Sequence, residues 1–193
     1  ITEYLPNKSL KEVLDKEKQS LADENWTPTK KYICILGIVD AMRYLHEQNI
    51  IHRDLKPQNI LMDENFYPRI CDFGLSRCFP DSFKMTLTGE IGTPLYMAPE
   101  MFNGEYDHYG KEVDVYSFAI LAYEIVSGKE PYYEIKDKIR NVFDLYKKVE
   151  SGYRPKIINE IPDKMRFIIN QCWNKNPQKR PSFKEIVNML KIN

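Results

Sequence analysis

His52-Arg53-Asp54-Leu55-Lys56-Pro57-Gln58-Asn59 is the most informative stretch of this chain, and a second stretch, Asp72-Phe73-Gly74, begins thirteen residues after Asn59. Their polar groups include the carboxylates of Asp54 and Asp72, the ammonium of Lys56 and the carboxamide of Asn59, and short apolar runs flank them. Carboxylate and amide oxygens are ligands that Mg²⁺ prefers, and an ammonium can neutralise phosphate oxygens. The pattern therefore indicates a loop suited to a metal ion and a phosphate group.

Both stretches resemble the signatures of the protein kinases, whose catalytic loop is H-R-D-L-x-x-x-N and whose metal-binding turn is D-F-G. The five fixed positions of the first signature would match a chain of this length by chance with odds of about one in ten thousand. A third match, Met97-Ala98-Pro99-Glu100 preceded by Gly92-Thr93, ends 28 residues after Asp72, where this family has its A-P-E segment. Order and spacing agree for all three.

The upstream signatures of the family have no counterpart in these 193 residues. The Gly-rich loop, G-x-G-x-x-G-x-V, and the strand lysine of the V-A-I-K type come before the catalytic loop. Here only 51 residues precede His52, and the eight glycines contain no G-x-G. The first residues resemble the hinge between the two kinase lobes, with Thr2 at the gatekeeper position. The N-terminal lobe is thus absent from this chain and is expected upstream.

The resemblance implies an α+β, protein-kinase-like fold, present as a mainly α-helical C-terminal lobe with short β-strands around the catalytic loop. It describes residues 1–193 as one partial kinase domain, with a hinge at 1–7, a catalytic loop at 52–59 and an activation segment at 72–100. The length, with 42% hydrophobic and 29% charged residues, agrees with one globular domain.

Periodicity predicts helices through most of the remaining chain. Thr27-Pro28 is the expected cap and first turn of a long helix reaching His46, and the apolar run 113–126 predicts a buried helix that ends at Gly128. Other helices are predicted around Leu10 to Leu21 on the surface, at 139–149, at 165–173 with Asp163 as cap, and after the capping box Ser182-x-x-Glu185. Short strands are predicted at Ile50-Ile51, Ile60-Leu61-Met62 and Arg69-Ile70-Cys71.

Composition bears on partners and location. Lys plus Arg and Asp plus Glu both total 28, so no net charge marks the chain as a binder of nucleic acid or of a membrane surface. The four cysteines show no C-x-x-C spacing, which predicts free thiols in a reducing compartment. No apolar run approaches the roughly 20 residues that a membrane span requires. A cytoplasmic or nuclear location is expected.

The resemblance assigns the chemistry to four side chains. Asp54 would orient the substrate hydroxyl and finally accept its proton. Lys56 would neutralise the transferring phosphate, while the oxygens of Asn59 and Asp72 would bind Mg²⁺. A lone loop aspartate is more often a turn former and a lone lysine a solvated surface residue, so these roles rest on the motif.

The residue two positions after Asp54 bears on the substrate. Lys56 occupies that position, as in the serine/threonine kinases, whereas tyrosine kinases typically show Ala-Ala-Arg or Arg-Ala-Ala across this stretch. The stretches 114–118, 172–173 and 180–183 resemble the tyrosine-kinase-like group of serine/threonine kinases. Protein substrates with Ser or Thr hydroxyls are therefore implied.

The same resemblance places the nucleotide and the supporting side chains. His52 is interpreted as a packed, hydrogen-bonded residue rather than a base. The implied contacts to ATP are Thr2, Glu3 and Leu5 of the hinge, Lys56, and Leu61 beneath the adenine ring. The implied structural residues are His52, Phe73, Gly74, Glu100 paired with Arg180 as a buried ion pair, and Asp114 as an acceptor for backbone N–H groups of the catalytic loop.

Arg53 is the implied phosphate sensor, because a guanidinium binds phosphate bidentately. A phosphorylated residue within 82–93 would order that segment against the arginine. Thr86 and Thr88 are the predicted modification sites, since Thr93 is expected to contact Lys56.

These residues predict a protein serine/threonine kinase that uses ATP and Mg²⁺. Each charge-assisted contact to phosphate that the missing lobe would supply is worth roughly 1.5 to 3 kcal/mol, so the chain alone is expected to be inactive or nearly so. The alternative is a non-catalytic scaffold that docks partners through the helix region 139–149.

Overall fold

A computed structural model describes residues 9–72, 93–103 and 109–191. These parts contain α-helices, short 3₁₀ helices and one two-stranded antiparallel sheet. The α-helices are α1 Leu10–Lys18, α2 Pro28–Glu47, α3 Glu112–Ser127, α4 Val142–Glu150, α5 Asp163–Cys172 and α6 Phe183–Lys191. The strands are β1 Ile60–Met62 and β2 Pro68–Ile70, and the 3₁₀ helices are Pro57–Asn59, Thr93–Tyr96, Pro99–Asn103, Tyr133–Lys138 and Pro177–Lys179.

Helix α3 forms the centre of the core. Of its 16 residues 13 are buried, as the nearly continuous apolar run predicts, and α2, α5 and α6 pack around it or around one another. It ends at Gly128, whose φ of +65° lies in the left-handed region that glycine adopts at low cost. Burial of each large apolar side chain stabilises the fold by roughly 1.5 to 3 kcal/mol. The many buried side chains of α3 therefore make it a major source of stability.

Helix α2 leads into the catalytic loop and begins where the sequence predicts. The Thr27 hydroxyl accepts a hydrogen bond from the Lys30 N–H at 3.3 Å, and Pro28 occupies the first turn, where no amide hydrogen is needed. Beyond the helix, Asn49 adopts φ +57° and the Ile50 N–H bonds the Leu45 carbonyl at 2.9 Å. This turn uses the amide that a strand would need, so the prediction of a strand at Ile50-Ile51 was wrong.

The sheet brings two distant stretches together beside the catalytic loop. Strands β1 and β2 are antiparallel, with Leu61 opposite Arg69 and Met62 opposite Pro68. The predicted strands at 60–62 and 69–71 are confirmed, with the second shifted to 68–70. Cys71 lies just beyond β2, and its N–H extends the pairing by donating to the Asn59 carbonyl at 3.0 Å.

Helix α1 differs most from its prediction. It ends at Lys18, Ser20 takes φ +60°, and Leu21 is 67% exposed rather than part of an apolar face. Lys16 and Lys18 are exposed, in agreement with a surface helix, but two charged residues of α1 also make tertiary contacts. Glu17 accepts a hydrogen bond from the Trp26 indole N–H at 2.9 Å, and the Lys18 ammonium lies 2.6 Å from a buried glutamate of α3.

Helices α4 and α5 begin a few residues away from their predicted N-termini. Helix α4 begins at Val142 instead of 139, because the Asn141 side chain caps it by accepting from the Asp144 N–H at 2.9 Å. In α5, Asp163 is the first helical residue and Pro162 takes the cap position. None of the helices within the described ranges combines the length and apolar character needed to cross a lipid bilayer.

Candidate active site

The backbone of the catalytic loop is held by Asp114, in the first turn of α3. Its fully buried carboxylate accepts hydrogen bonds from the His52 N–H at 2.8 Å and the Arg53 N–H at 2.7 Å. The same carboxylate lies 2.8 Å from the His46 Nε2 atom of α2. Arg53 adopts φ +67°, which costs a non-glycine residue energy, and the bond to its amide offsets that cost. The structure thus brings Asp114 to the loop as the sequence predicts.

His52 connects the loop to the start of the second motif. Its side chain is buried, and its Nδ1 atom accepts from the Asp54 N–H at 3.3 Å. Because Nδ1 accepts, the Nε2–H donates to the Cys71 carbonyl at 3.2 Å. Both ring nitrogens therefore serve packing and positioning, in agreement with the interpretation of His52 as a structural residue.

Asp54, Lys56 and Asn59 converge on one carboxylate oxygen. The Lys56 ammonium lies 2.7 Å from Asp54 Oδ2, and the Asn59 amide donates to the same oxygen at 2.8 Å. The second amide hydrogen of Asn59 reaches the Asp54 backbone carbonyl at 2.8 Å. These side chains are largely shielded from solvent, with exposures of 13% for Asp54 and 15% for Lys56. The 3₁₀ helix Pro57–Asn59 provides the reversal that allows residues two and five positions apart to meet.

Asn59 and Asp72 carry the side-chain oxygens that the sequence assigns to Mg²⁺. Because both amide hydrogens of Asn59 bind Asp54, the remaining polar atom, Oδ1, is an acceptor. Asp72 directly follows the residue whose amide bonds Asn59, and its side chain lies at an exposed position. Oxygen donors of this kind suit Mg²⁺, which usually keeps several waters and is bound through one or two protein groups.

Asp72 also acts electrostatically on its neighbour. Partial burial, and then the Asp72 carboxylate, raise the pKa of the Cys71 thiol above its ordinary value. Among the described residues, no group of three or more His, Cys, Asp or Glu side chains is placed to hold a metal ion.

Glu100 and Arg180 form the ion pair that the sequence predicts. The guanidinium binds both carboxylate oxygens, at 2.5 and 3.0 Å. It also donates to the Glu112 carbonyl at the start of α3 at 3.0 Å and to the Asn174 carbonyl at 2.9 Å, above the Tyr116 ring. This arginine therefore joins the A-P-E segment to the core.

Of the other predicted site residues, some lie within the described ranges and some outside them. Leu61 is half-buried in β1 and forms an isolated bridge with Ser9, so it lies beside the N-terminal end of α1. The 3₁₀ helix that begins at Thr93 is described, but the Thr93 side chain is not, and its contact with Lys56 stays a prediction. Thr2, Glu3, Leu5, Phe73, Gly74, Thr86 and Thr88 lie outside the described residues. The phosphate-sensing role of Arg53 also stays a prediction.

One buried charge, Glu124, was missed by the sequence reasoning. Glu124, in α3, is 1% exposed, and its carboxylate binds the Lys18 ammonium at 2.6 Å and the hydroxyl of Tyr96. Burial, followed by the charge of Glu124, raises the pKa of Tyr96 well above its ordinary value, so the hydroxyl stays protonated and donates. A carboxylate inside an otherwise apolar helical run was the available signal, because such a group needs a partner.

The amino-acid sequence of this chain is similar to those of known protein kinases. The sequence model of the protein kinase domain matches residues 1–190. A probable serine/threonine-protein kinase of Dictyostelium discoideum is 40% identical over 190 residues, covering 98% of this chain and 19% of its own length. The dual specificity protein kinase shkB of the same organism is 38% identical over 96% of this chain and 28% of its own.

Similar plant proteins also occur. The rust resistance kinase Lr10 of Triticum aestivum is 36% identical, covering 98% of this chain and 32% of its own length. The chain spans about a fifth of the length of the first three curated relatives that it matches. The similarity therefore concerns one region of those larger proteins.

Proposed function

Because the chain belongs to the protein kinase family, and its relatives place it among the serine/threonine kinases, we propose that it provides the catalytic half of an enzyme that phosphorylates Ser and Thr hydroxyls of proteins. The observation that carries this proposal is the convergence of Lys56 and Asn59 on Asp54 Oδ2, at 2.7 and 2.8 Å. The family uses ATP as phosphoryl donor together with Mg²⁺.

Asp54 is proposed to act on the substrate hydroxyl through its other oxygen. The contacts from Lys56 and Asn59 both fall on Oδ2 and fix the plane of the carboxylate, so Oδ1 can accept the hydroxyl hydrogen. The hydroxyl oxygen then bonds to the γ-phosphorus, the bond from that phosphorus to the β,γ-bridging oxygen breaks, ADP leaves, and the hydroxyl proton passes to Asp54. An aspartate suits a loose transition state, in which the proton moves late.

Lys56 and the oxygen donors are proposed to handle charge. The Lys56 ammonium has three hydrogens, so it can hold Asp54 and also contact an oxygen of the transferring phosphoryl group. Asn59 Oδ1 and the Asp72 carboxylate would hold Mg²⁺, which when bound neutralises charge on the phosphate oxygens. Leu61 would lie beneath the adenine ring, with Thr2, Glu3 and Leu5 lining its edge.

The extent of the domain is part of the proposal. We assign these residues to the hinge at 1–7 and the C-terminal lobe, with the activation segment at 72–100. In the absence of a Gly-rich loop and strand lysine, the isolated chain is proposed to lack measurable phosphotransfer. Its cytoplasmic or nuclear location stays a prediction.

A phosphotransfer assay tests this function. The product of the complete reading frame is assayed with Mg-ATP and a generic protein acceptor, next to the 193-residue chain. We expect phosphoserine and phosphothreonine from the former only, and a loss of about 10² to 10⁴-fold on Asp54→Asn, as for removal of a general base. Asp40→Asn, an exposed residue of α2, is the matched control. Undiminished transfer in Asp54→Asn would overturn the proposal.

A second function, binding without catalysis, is favoured by one surface. Phe143 of α4 is 54% exposed, and Tyr146 stacks on Phe102 with ring centroids 5.0 Å apart. Residues 136–150 carry five cations and three carboxylates, which suits an acidic partner segment. A scaffold would lose its partner on Phe143→Ala and would gain no thermal stability from Mg-ATP, whereas a kinase lobe that binds nucleotide would be stabilised.

A further inference from the structure

Lys18, Glu124 and Tyr96 form a network that joins three separate elements, with Glu124 and Tyr96 buried and Lys18 at its solvent side. Lys18 belongs to α1, Glu124 to α3, and Tyr96 ends the 3₁₀ helix Thr93–Tyr96. The Lys18 ammonium is 2.6 Å from Glu124 Oε1, and the Tyr96 hydroxyl donates to Glu124 Oε2. Each carboxylate oxygen therefore has its own donor from a different part of the chain.

The network differs from a surface ion pair because the Glu124 carboxylate and Tyr96 are buried. The Glu124 side chain is 1% exposed, the Lys18 side chain 24%, and Tyr96 is 4% exposed. A buried carboxylate that loses one of its two donors is left with an uncompensated charge, so removal of Lys18 acts on Glu124 and, through it, on Tyr96. Lys18 is itself held from the other side by Asp15, at 3.6 Å.

The stretch 93–103, which contains both Tyr96 and Glu100, is attached to α3 at two separated points. At one end of the helix, Arg180 binds both Glu100 and the Glu112 carbonyl, at 2.5 and 3.0 Å. At the other end, Glu124 binds Tyr96. Residues 112 and 124 are twelve positions apart, which is about 18 Å along a helix axis, so the two attachments together oppose rotation of the segment.

We infer that Lys18 is a positioning residue for the phosphotransfer reaction: through Glu124 and Tyr96 it fixes the segment Thr93–Tyr96, whose first residue is predicted to contact Lys56. This inference rests on the proposed function, because only then does the placement of that segment bear on how a protein substrate is held. Lys18 touches neither reacting group, and its effect is expected on substrate binding more than on chemistry.

Hydrogen exchange of the 193-residue chain tests whether Lys18 fixes the segment Thr93–Tyr96. In Lys18→Met we expect amide exchange across residues 93–98 to become about tenfold faster, the effect of losing one charge-assisted bond, with exchange in α2 unchanged. Lys18→Arg should restore slow exchange, since the charge and reach are kept. Lys16→Met is the matched control, an exposed lysine of the same helix. A folded Lys18→Met with unaltered exchange in 93–98 would overturn the inference.

Steady-state kinetics of the complete reading frame's product test whether Lys18 affects binding of the protein substrate. Lys18→Met is expected to raise KM for a protein acceptor about tenfold, with kcat and the KM for ATP within about twofold of the parent, because a positioning contact acts on substrate binding. Lys18→Arg should behave like the parent enzyme. If the parent phosphorylates but Lys18→Met lowers kcat alone or changes nothing, the inference fails and the proposed function stands. If the parent shows no phosphotransfer, the proposed function fails, and with it the kinetic role of Lys18.

Discussion

At the scale of single residues, the candidate site depends on the left-handed backbone conformation of Arg53, which is stabilised by a residue outside the loop. Arg53 takes φ +67°, a conformation that costs a residue with a Cβ atom about 1 to 3 kcal/mol. Asp114 accepts from the N–H groups of His52 and Arg53, at 2.8 and 2.7 Å, and so holds the turn from which Asp54 projects. The loop's shape is thus set from α3.

Asp114→Asn is expected to lower the free energy of unfolding by about 2 to 3 kcal/mol, because the amide group cannot accept all of the hydrogen bonds made by the carboxylate and leaves a buried donor unpaired. Chemical denaturation of the 193-residue chain measures this change. Asp40→Asn, at an exposed pair with Arg43, should stay within about 0.5 kcal/mol of the parent. Equal stability of the two variants would contradict the role given to Asp114.

At the scale of elements, the helix starts show how short-range chemistry sets structure. In α6, the Ser182 N–H and hydroxyl both donate to Glu185 at 2.7 Å, and the Glu185 N–H returns a bond to Ser182 Oγ at 3.3 Å. These bonds lower the pKa of the Glu185 carboxyl below its ordinary value of 4.5. All the partners lie within three positions of one another.

Ser182→Ala should destabilise the chain by about 1 kcal/mol, the usual effect of losing an N-cap side chain. The stabilisation by Glu185 should depend on pH with a definite sign. Because its pKa is lower in the folded state, the contribution is complete above pH 4.5 and declines as pH falls through the lowered folded value. Urea denaturation of the parent and Glu185→Ala across this range should show their difference shrinking toward low pH. A gap that widened on acidification would contradict the assignment.

At the scale of the whole molecule, Arg180 unites parts of the chain that lie far apart in sequence. It binds Glu100 in the A-P-E segment, the Glu112 carbonyl of α3 and the Asn174 carbonyl beyond α5. Its guanidinium lies 5.1 Å from the centroid of the buried Tyr116 ring, and Arg154 lies 5.0 Å from the same ring. Arg180 therefore links the A-P-E segment to the core through direct contacts.

Breaking this ion pair on one side should cost about 3 to 5 kcal/mol, since a buried charge loses its partner. A double-mutant cycle with Arg180→Met and Glu100→Gln, followed by chemical denaturation, measures the coupling. We expect the double variant to lose clearly less than the sum of the two single losses. Strict additivity would show that the contact contributes no interaction energy.

The helices and the candidate site were predictable to different degrees. Thr27-Pro28, Gly128 and the Ser182-x-x-Glu185 box set helix ends correctly, because capping joins residues within a few positions. The strand at Ile50-Ile51 failed because a turn after α2 takes the Ile50 amide. The contacts of Glu17 and Lys18 were not predicted for the opposite reason, since their partners are supplied by other parts of the chain.

The family, the order of the helices and the identity of the side chains around Asp54 follow from the amino-acid sequence, because they depend on motif spacing and local hydrogen bonding. Which charges meet depends on how the helices pack. Lys18 and Glu124 are 106 positions apart, and no periodic pattern connects them. Burial of a charge is a property of the packed core, so its partner is chosen by the fold and becomes visible only when distant elements are brought together.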